Sequence, residues 1–188
     1  TTLAALLLAA LFVFASCTQL DVVGTGSATS FGRVVSAASG MVAEDPARGT
    51  WSLGAPDGSA RFLWSRDFSK SAGSDIALEF DAQPFLDAGL DPGKLPQSIR
   101  LEDGLLLVEA ELSGKAPAST GSATPLNAYE QIVNNSRNSV KYHAQLDHYG
   151  VELGNGHMFE WAKDISTNDK DIVFVVDPKP FLDAGVDP

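Results

Sequence analysis

Twelve residues occur twice in this chain, and the repetition limits the folds open to it. Residues 81–92 read DAQPFLDAGLDP and residues 177–188 read DPKPFLDAGVDP, identical at nine of twelve positions at an offset of 96. Ahead of the first copy, Ile76, Leu78 and Phe80 alternate with Ala77 and Glu79, the period of a half-buried strand. Asp81 offers an oxygen to the free N–H groups of a helix start, and Pro84 is tolerated in a first turn. Gly89 can close the helix in the left-handed conformation, with Leu90 folding back on the last turn. The phrase therefore predicts a strand, a short helix and a stop. The second copy predicts the same from Ile172, Phe174 and Val176, then Asp177, Pro178 and Gly185.

Other elements recur in the same order. Phe31, Val34, Val35 and Ala38 predict an amphipathic helix over 31–39, matched by Tyr129, Ile132 and Val133 behind Pro125. Pro56-Asp57-Gly58, between Trp51 and Leu53 on one side and Phe62 and Trp64 on the other, predicts a hairpin. Val151 to Leu153, a Gly154-Asn155-Gly156 turn, then Phe159 and Trp161 predict its counterpart. Val140, Tyr142, Ala144 and Leu146 alternate as one further strand. Asp103-Gly104 between apolar runs predicts a hairpin after the first phrase.

The fold class expected is α+β: two tandem copies of a ~96-residue unit of short helix, hairpin, strand, short helix and hairpin, since so long a period exceeds that of a solenoid. Repeat 1 occupies 31–114, a small-residue linker 115–124, and repeat 2 125–188. Repeat 2 is expected to be cut off before its last hairpin. Its strand 171–176 has Val173 and Val175 where the first copy has Ala77 and Glu79, which predicts a more central strand covered on both faces, by the missing hairpin or by the other copy.

The N-terminus carries a different signal. Residues 3–15, LAALLLAALFVFA, are apolar and uncharged, shorter than the ~20 residues of a membrane span and suited to the core of a secretory signal. Ser16 and Cys17, the one cysteine of the chain, follow. Phe14-Ala15-Ser16-Cys17 resembles the lipobox of bacterial lipoproteins, with Phe14 where Leu is usual. The resemblance covers residues 1–17 and implies that Cys17 becomes the lipidated first residue of a mature protein held on a membrane by its acyl chains. It also implies a bacterial cell envelope location outside the cytoplasm. The leader is expected to lack its first residues, and 18–30 to form a tether.

The net charge of −11 argues against nucleic acid as a partner. No motif implies a cofactor. Gly24 to Thr29 lacks the third glycine of a phosphate loop. Weak metal candidates are His143, His148 and His157, with Asp164 and Asp171 in a loop rich in oxygen ligands. His143 and His148 are an odd number of residues apart, so one regular strand would point them to opposite faces. The loop residues Asp67, Ser69, Ser71 and Asp75, and Asp164, Ser166, Asn168, Asp169 and Asp171, miss the glycine and glutamate of an EF-hand. Trp51, Trp64 and Trp161 are candidates for a stacking platform, although their repeat-matched positions favour a core. No catalytic residue is assigned. The function expected is a non-catalytic ligand-binding or interaction module with a groove between the repeats. The alternatives are an envelope hydrolase completed by residues outside 1–188, and a metal-binding lipoprotein.

Overall fold

Alternating apolar residues and turn-forming dipeptides dictate most of the architecture. The computed structural model describes residues 23–66, 75–110, 124–135, 140–164 and 171–188. The signal segment, Cys17, residues 115–123 of the 115–124 linker and the loop residues Asp67, Ser69, Ser71, Ser166, Asn168 and Asp169 lie outside the described residues. The chain runs α1 (Val23–Ala37), β1 (Val42–Asp45), β2 (Thr50–Gly54), β3 (Ala60–Ser65), β4 (Ile76–Asp81), α2 (Gln83–Asp87), β5 (Ile99–Glu102) and β6 (Leu105–Ala110). It continues with α3 (Pro125–Asn135), β7 (Val140–His143), β8 (His148–Gly154), β9 (His157–Ala162), β10 (Ile172–Val175) and α4 (Lys179–Asp183). The class is α+β. Two antiparallel sheets are formed, β1-β2-β3-β4-β6-β5 and β10-β9-β8-β7.

Two expectations are corrected, and one strand is added. The first helix spans Val23 to Ala37 and not 31–39, so residues 23–30, assigned to a tether, are helical. Small residues on one face allow this: Gly32 sits so close to α3 that a Cβ there would lie 3.2 Å from Leu126. A strand absent from the sequence reading, β1, precedes the first hairpin and pairs β2 from Val42↔Leu53 to Asp45↔Thr50. The single strand read over 140–146 ends at His143; residues 144–147 turn, and β8 begins at His148. Among the described residues, β10 pairs β9 on one side.

The core joins the two halves of the chain. Phe31 of α1 stacks on Tyr129 of α3 at 3.9 Å and meets Trp64 and Trp161 edge-on, each at 5.4 Å. Below them Phe62 of β3 lies flat on Phe159 of β9, at 4.3 Å and 3°. The helices are exchanged: α1 packs on β7 and β9, while α3 packs on β3. The indole N–H groups follow the same exchange. Trp64 Nε1 donates to the Pro125 carbonyl at 2.9 Å, and Trp161 Nε1 donates to Ser30 Oγ at 2.9 Å.

Both copies of the phrase fold alike. Asp81 Oδ1 accepts the Gln83 N–H and Asp177 Oδ1 accepts the Lys179 N–H, so each carboxylate serves the helix start from one residue outside the cap. Gly89 and Gly185 take φ of 94° and 102°. Leu90 N–H reaches Phe85 O, and Val186 N–H reaches Phe181 O, each the long bond of a Schellman motif. That motif leaves the carbonyl of the capping residue unbonded within its own copy, and here the other copy supplies the donor. Asp91 N–H donates to Ala184 O and Asp187 N–H to Ala88 O, each at 2.8 Å. Phe85 and Phe181 pack together beside this seam at 5.1 Å.

Candidate functional site

Joining two halves through one core leaves clefts along the seam. One, of about 490 Å³, is lined by Val34 of α1 and Ala38 and Met41 just after it, by Ala55 and Asp57 from the β2–β3 turn, and by Asp171 and Ile172 at the start of β10. Its walls come from both halves. Its floor is apolar and its polar groups are two carboxylates. The Pro56-Asp57-Gly58 turn fixes one of them: the Ser59 amide and hydroxyl both donate to Asp57 Oδ1, at 3.0 and 2.6 Å. These bonds hold the Asp57 carboxyl below its usual range, so it is a fixed anion at neutral pH. An apolar trough ended by an anion suits a ligand with a hydrocarbon body and a cationic head.

A second cleft, of about 380 Å³, carries more charged side chains. It lies between Lys94, Pro96 and Ser98 on one side and His157, Asp177 and Lys179 on the other. The His157 side chain is buried, and burial pushes its pKa down, partly opposed by the nearby Asp177 charge. Its Nδ1 accepts the Asp177 N–H at 3.2 Å, which places the ring proton of the neutral form on Nε2.

A third cluster lies on the outer face of the β7–β9 sheet. Because residues 144–147 turn, His143 and His148 sit opposite one another in register and share a face, contrary to the opposite faces expected of a single strand. The missed signal was weak: the turn Ala144-Gln145-Leu146-Asp147 contains neither Gly nor Pro, and Asp147 supplies the positive φ of 52°. Glu160, buried on β9, reaches both rings. His143 Nδ1 lies 2.8 Å from Oε1, and His148 Nδ1 lies 3.5 Å from Oε2. His157 stands apart from this pair and serves the second cleft. Asp171 lines the first cleft, and Asp164 is exposed beyond β9. Among the described residues, no group of three His, Cys, Asp or Glu side chains is arranged to hold a metal ion.

The tryptophans divide. Trp64 and Trp161 are fully buried and form the core, so no stacking platform is built on them. Trp51 is half-buried on β2 and carries the Arg66 guanidinium over its ring at 5.9 Å. The glycine-rich stretch Gly24 to Thr29 is part of α1 and forms no phosphate loop. Sequence reasoning did not single out Glu79, which is 2% exposed on the outer face of β4. Arg48 Nη1 binds its Oε2 at 2.8 Å, and Arg61 pairs with its Oε1. The chain thus presents an α+β fold of two antiparallel sheets with one shared core and ligand-sized clefts on its seam. Comparison with protein-family models, curated proteins and solved structures finds no match for it.

Proposed function

We propose that this chain is a lipid-anchored protein of the bacterial cell envelope whose folded part is a non-catalytic binding module. Acyl chains on Cys17 would hold it on the membrane, since each buried CH₂ contributes roughly 0.8 kcal/mol. We read the folded part as two copies of one ~96-residue unit, joined so that each copy caps the other. The repeated phrase, the reciprocal 2.8 Å bonds between its copies and the exchanged Trp64 and Trp161 bonds support that reading. The β5–β6 hairpin belongs to the first copy and has no counterpart among the described residues of the second.

The observation that carries the binding reading is the apolar cleft of about 490 Å³ whose walls come from both copies. Small-molecule sites are commonly about 300–1,000 Å³ and favour such seams. The ligand class is an amphiphile with an apolar body and a cationic head placed at Asp57. Two measurements test the proposal. Expression in bacteria with an alkyne-tagged fatty acid should label the chain, and Cys17→Ser should abolish the label and release the protein from membranes. Calorimetry should show hexylamine binding more tightly than hexanoate, with the preference lost in Asp57→Asn. An unlabelled chain refutes the anchor; equal affinity for amine and acid refutes the ligand class.

A further inference from the structure

The second cleft is built around a histidine that the matching place in the first half does without. His157 begins β9 as Ala60 begins β3. In the first half the backbone closes on itself there: Asp81 N–H donates to the Ser59 carbonyl at 3.0 Å. In the second half the matching amide, that of Asp177, donates to His157 Nδ1 at 3.2 Å. An imidazole thus takes the place of a backbone carbonyl. His157 is 2% exposed, yet it lines the cleft.

The bonding of the ring decides what it can hold. With Nδ1 accepting, the neutral imidazole carries its proton on Nε2. Burial lowers its pKa, so the ring is uncharged at neutral pH. It donates from Nε2, which suits holding an oxygen and not abstracting a proton. Among the described residues, no acceptor bonds Nε2. Two charges of each sign line the same cleft, Lys94 and Lys179 against Asp177 and Asp183. Lys94 pairs with Asp91 at 3.4 Å and Lys179 with Asp183, both on the surface. Exposed pairs of this kind hold little energy, so the ammonium groups can turn to a ligand. Asp177 spends Oδ1 on the Lys179 N–H, and its Oδ2 takes no bond among the described residues.

We infer that this cleft binds a small zwitterion of the amino-acid class, its carboxylate on His157 Nε2 and Lys94 and its ammonium on Asp177. Elimination supports the choice. A bare cation gives the His157 donor nothing to bond. A bare anion meets the field of a chain with net charge −11 and the two carboxylates of the cleft itself. A molecule with both charges satisfies the donor and the acid together. Size agrees, since about 380 Å³ falls at the lower end of small-molecule sites, roughly 300–1,000 Å³. Both walls of the cleft come from within residues 94–183. The site is distinct from the apolar cleft at Asp57, and the inference stands whichever ligand that cleft takes.

The test uses the full chain with ¹⁵N-labelled histidine and follows the ring signals by NMR. The probes are glycine, β-alanine and 4-aminobutanoate, with acetate and ethylamine as single-charge controls at the same ionic strength. At least one zwitterion should shift the His157 Nε2 signal saturably and bind about tenfold or more tighter than either control. The signals of His143 and His148, on the outer sheet face, should stay in place. His157→Asn keeps an acceptor for the Asp177 N–H and deletes the Nε2 donor; it should weaken binding by about tenfold or more. Asp177→Asn keeps the oxygen that serves Lys179 N–H and removes the charge, so the zwitterion should then bind no better than acetate. Circular dichroism checks that both variants fold, and the native ring signal decides the matter without them. Three results would overturn the inference: no movement of the His157 signal with any zwitterion at millimolar concentration, acetate or ethylamine binding as tightly as every zwitterion, or full affinity in a folded His157→Asn chain.

Discussion

Replacing Gly89 by Ala tests the seam between the two phrases directly. Two costs arise, and they can be separated. The first is conformational: φ is +94° at Gly89, and an L-residue in the left-handed region costs roughly 1–2 kcal/mol. The second is steric. A Cβ on Gly89 would lie 3.0 Å from the Gly185 carbonyl oxygen, which is backbone and cannot rotate aside. Relief requires the two phrases to part by a few tenths of an ångström. That movement stretches the Asp91–Ala184 and Asp187–Ala88 hydrogen bonds, both 2.8 Å. Each such bond contributes about 0.5–1.5 kcal/mol and stretching forfeits part of it, so the total is about 2–4 kcal/mol. For a chain of this size the midpoint of thermal unfolding should fall by about 5–15 °C. Gly58→Ala is the control, because Gly58 also has positive φ, 75°, but its Cβ would meet nothing within 4 Å. Urea unfolding followed by the fluorescence of buried Trp64 and Trp161 gives both free energies. If Gly89→Ala costs no more than Gly58→Ala, the close approach of the phrases carries no energy and the reasoning is wrong. Gly185→Ala should behave like Gly89→Ala, and the double variant should cost less than the sum, since the first substitution already opens the seam.

Ser30→Ala removes the acceptor of the buried Trp161 indole and should destabilise by about 1–3 kcal/mol, read from the same urea curves; Ser36→Ala, on an exposed part of α1, should not. Arg48→Met or Arg61→Met leaves Glu79 one guanidinium partner and should cost less than half of the double variant, which strands a buried carboxylate at about 3–5 kcal/mol. His157 supplies a pH dependence. Its folded pKa lies below the ordinary 6.5, so the unfolded chain binds the proton more readily. The stability it contributes is complete above 6.5 and is lost as pH falls from there toward the folded value. Denaturation midpoints across that window should drop toward acid in the native chain and drop less in His157→Gln.

Local rules were legible where one residue decides one backbone conformation. Gly89, Gly185 and the Asp-Gly turn at Asp103 are such positions, and the structure uses them as their chemistry predicts. The hairpin around Pro56-Asp57-Gly58 and the strand through Phe80 were legible for the same reason. What the two phrases do to each other was not, because their mutual bonds run between backbone atoms that every residue possesses. The first turns of α1 were hidden as well: glycine and serine disfavour a helix in isolation, and packing against α3 overrides that preference. The pairing of His143 with His148 depended on a four-residue turn without a turn signature. The apolar cleft depends on where Ile172 meets Met41, 131 residues earlier in the chain, a proximity no local pattern encodes.

The shared aromatic core also sets a timetable. Trp161 is made 97 residues after Trp64, and Phe159 the same distance after Phe62. At ~5–20 residues per second of synthesis, the first half waits roughly 5–20 s for the rings that cover its own. During that interval Phe31, Phe62 and Trp64 lack the rings of Tyr129, Phe159 and Trp161 that cover them in the folded chain. A nascent chain halted after residue 110 should therefore be held by chaperones, and release should coincide with the appearance of β9.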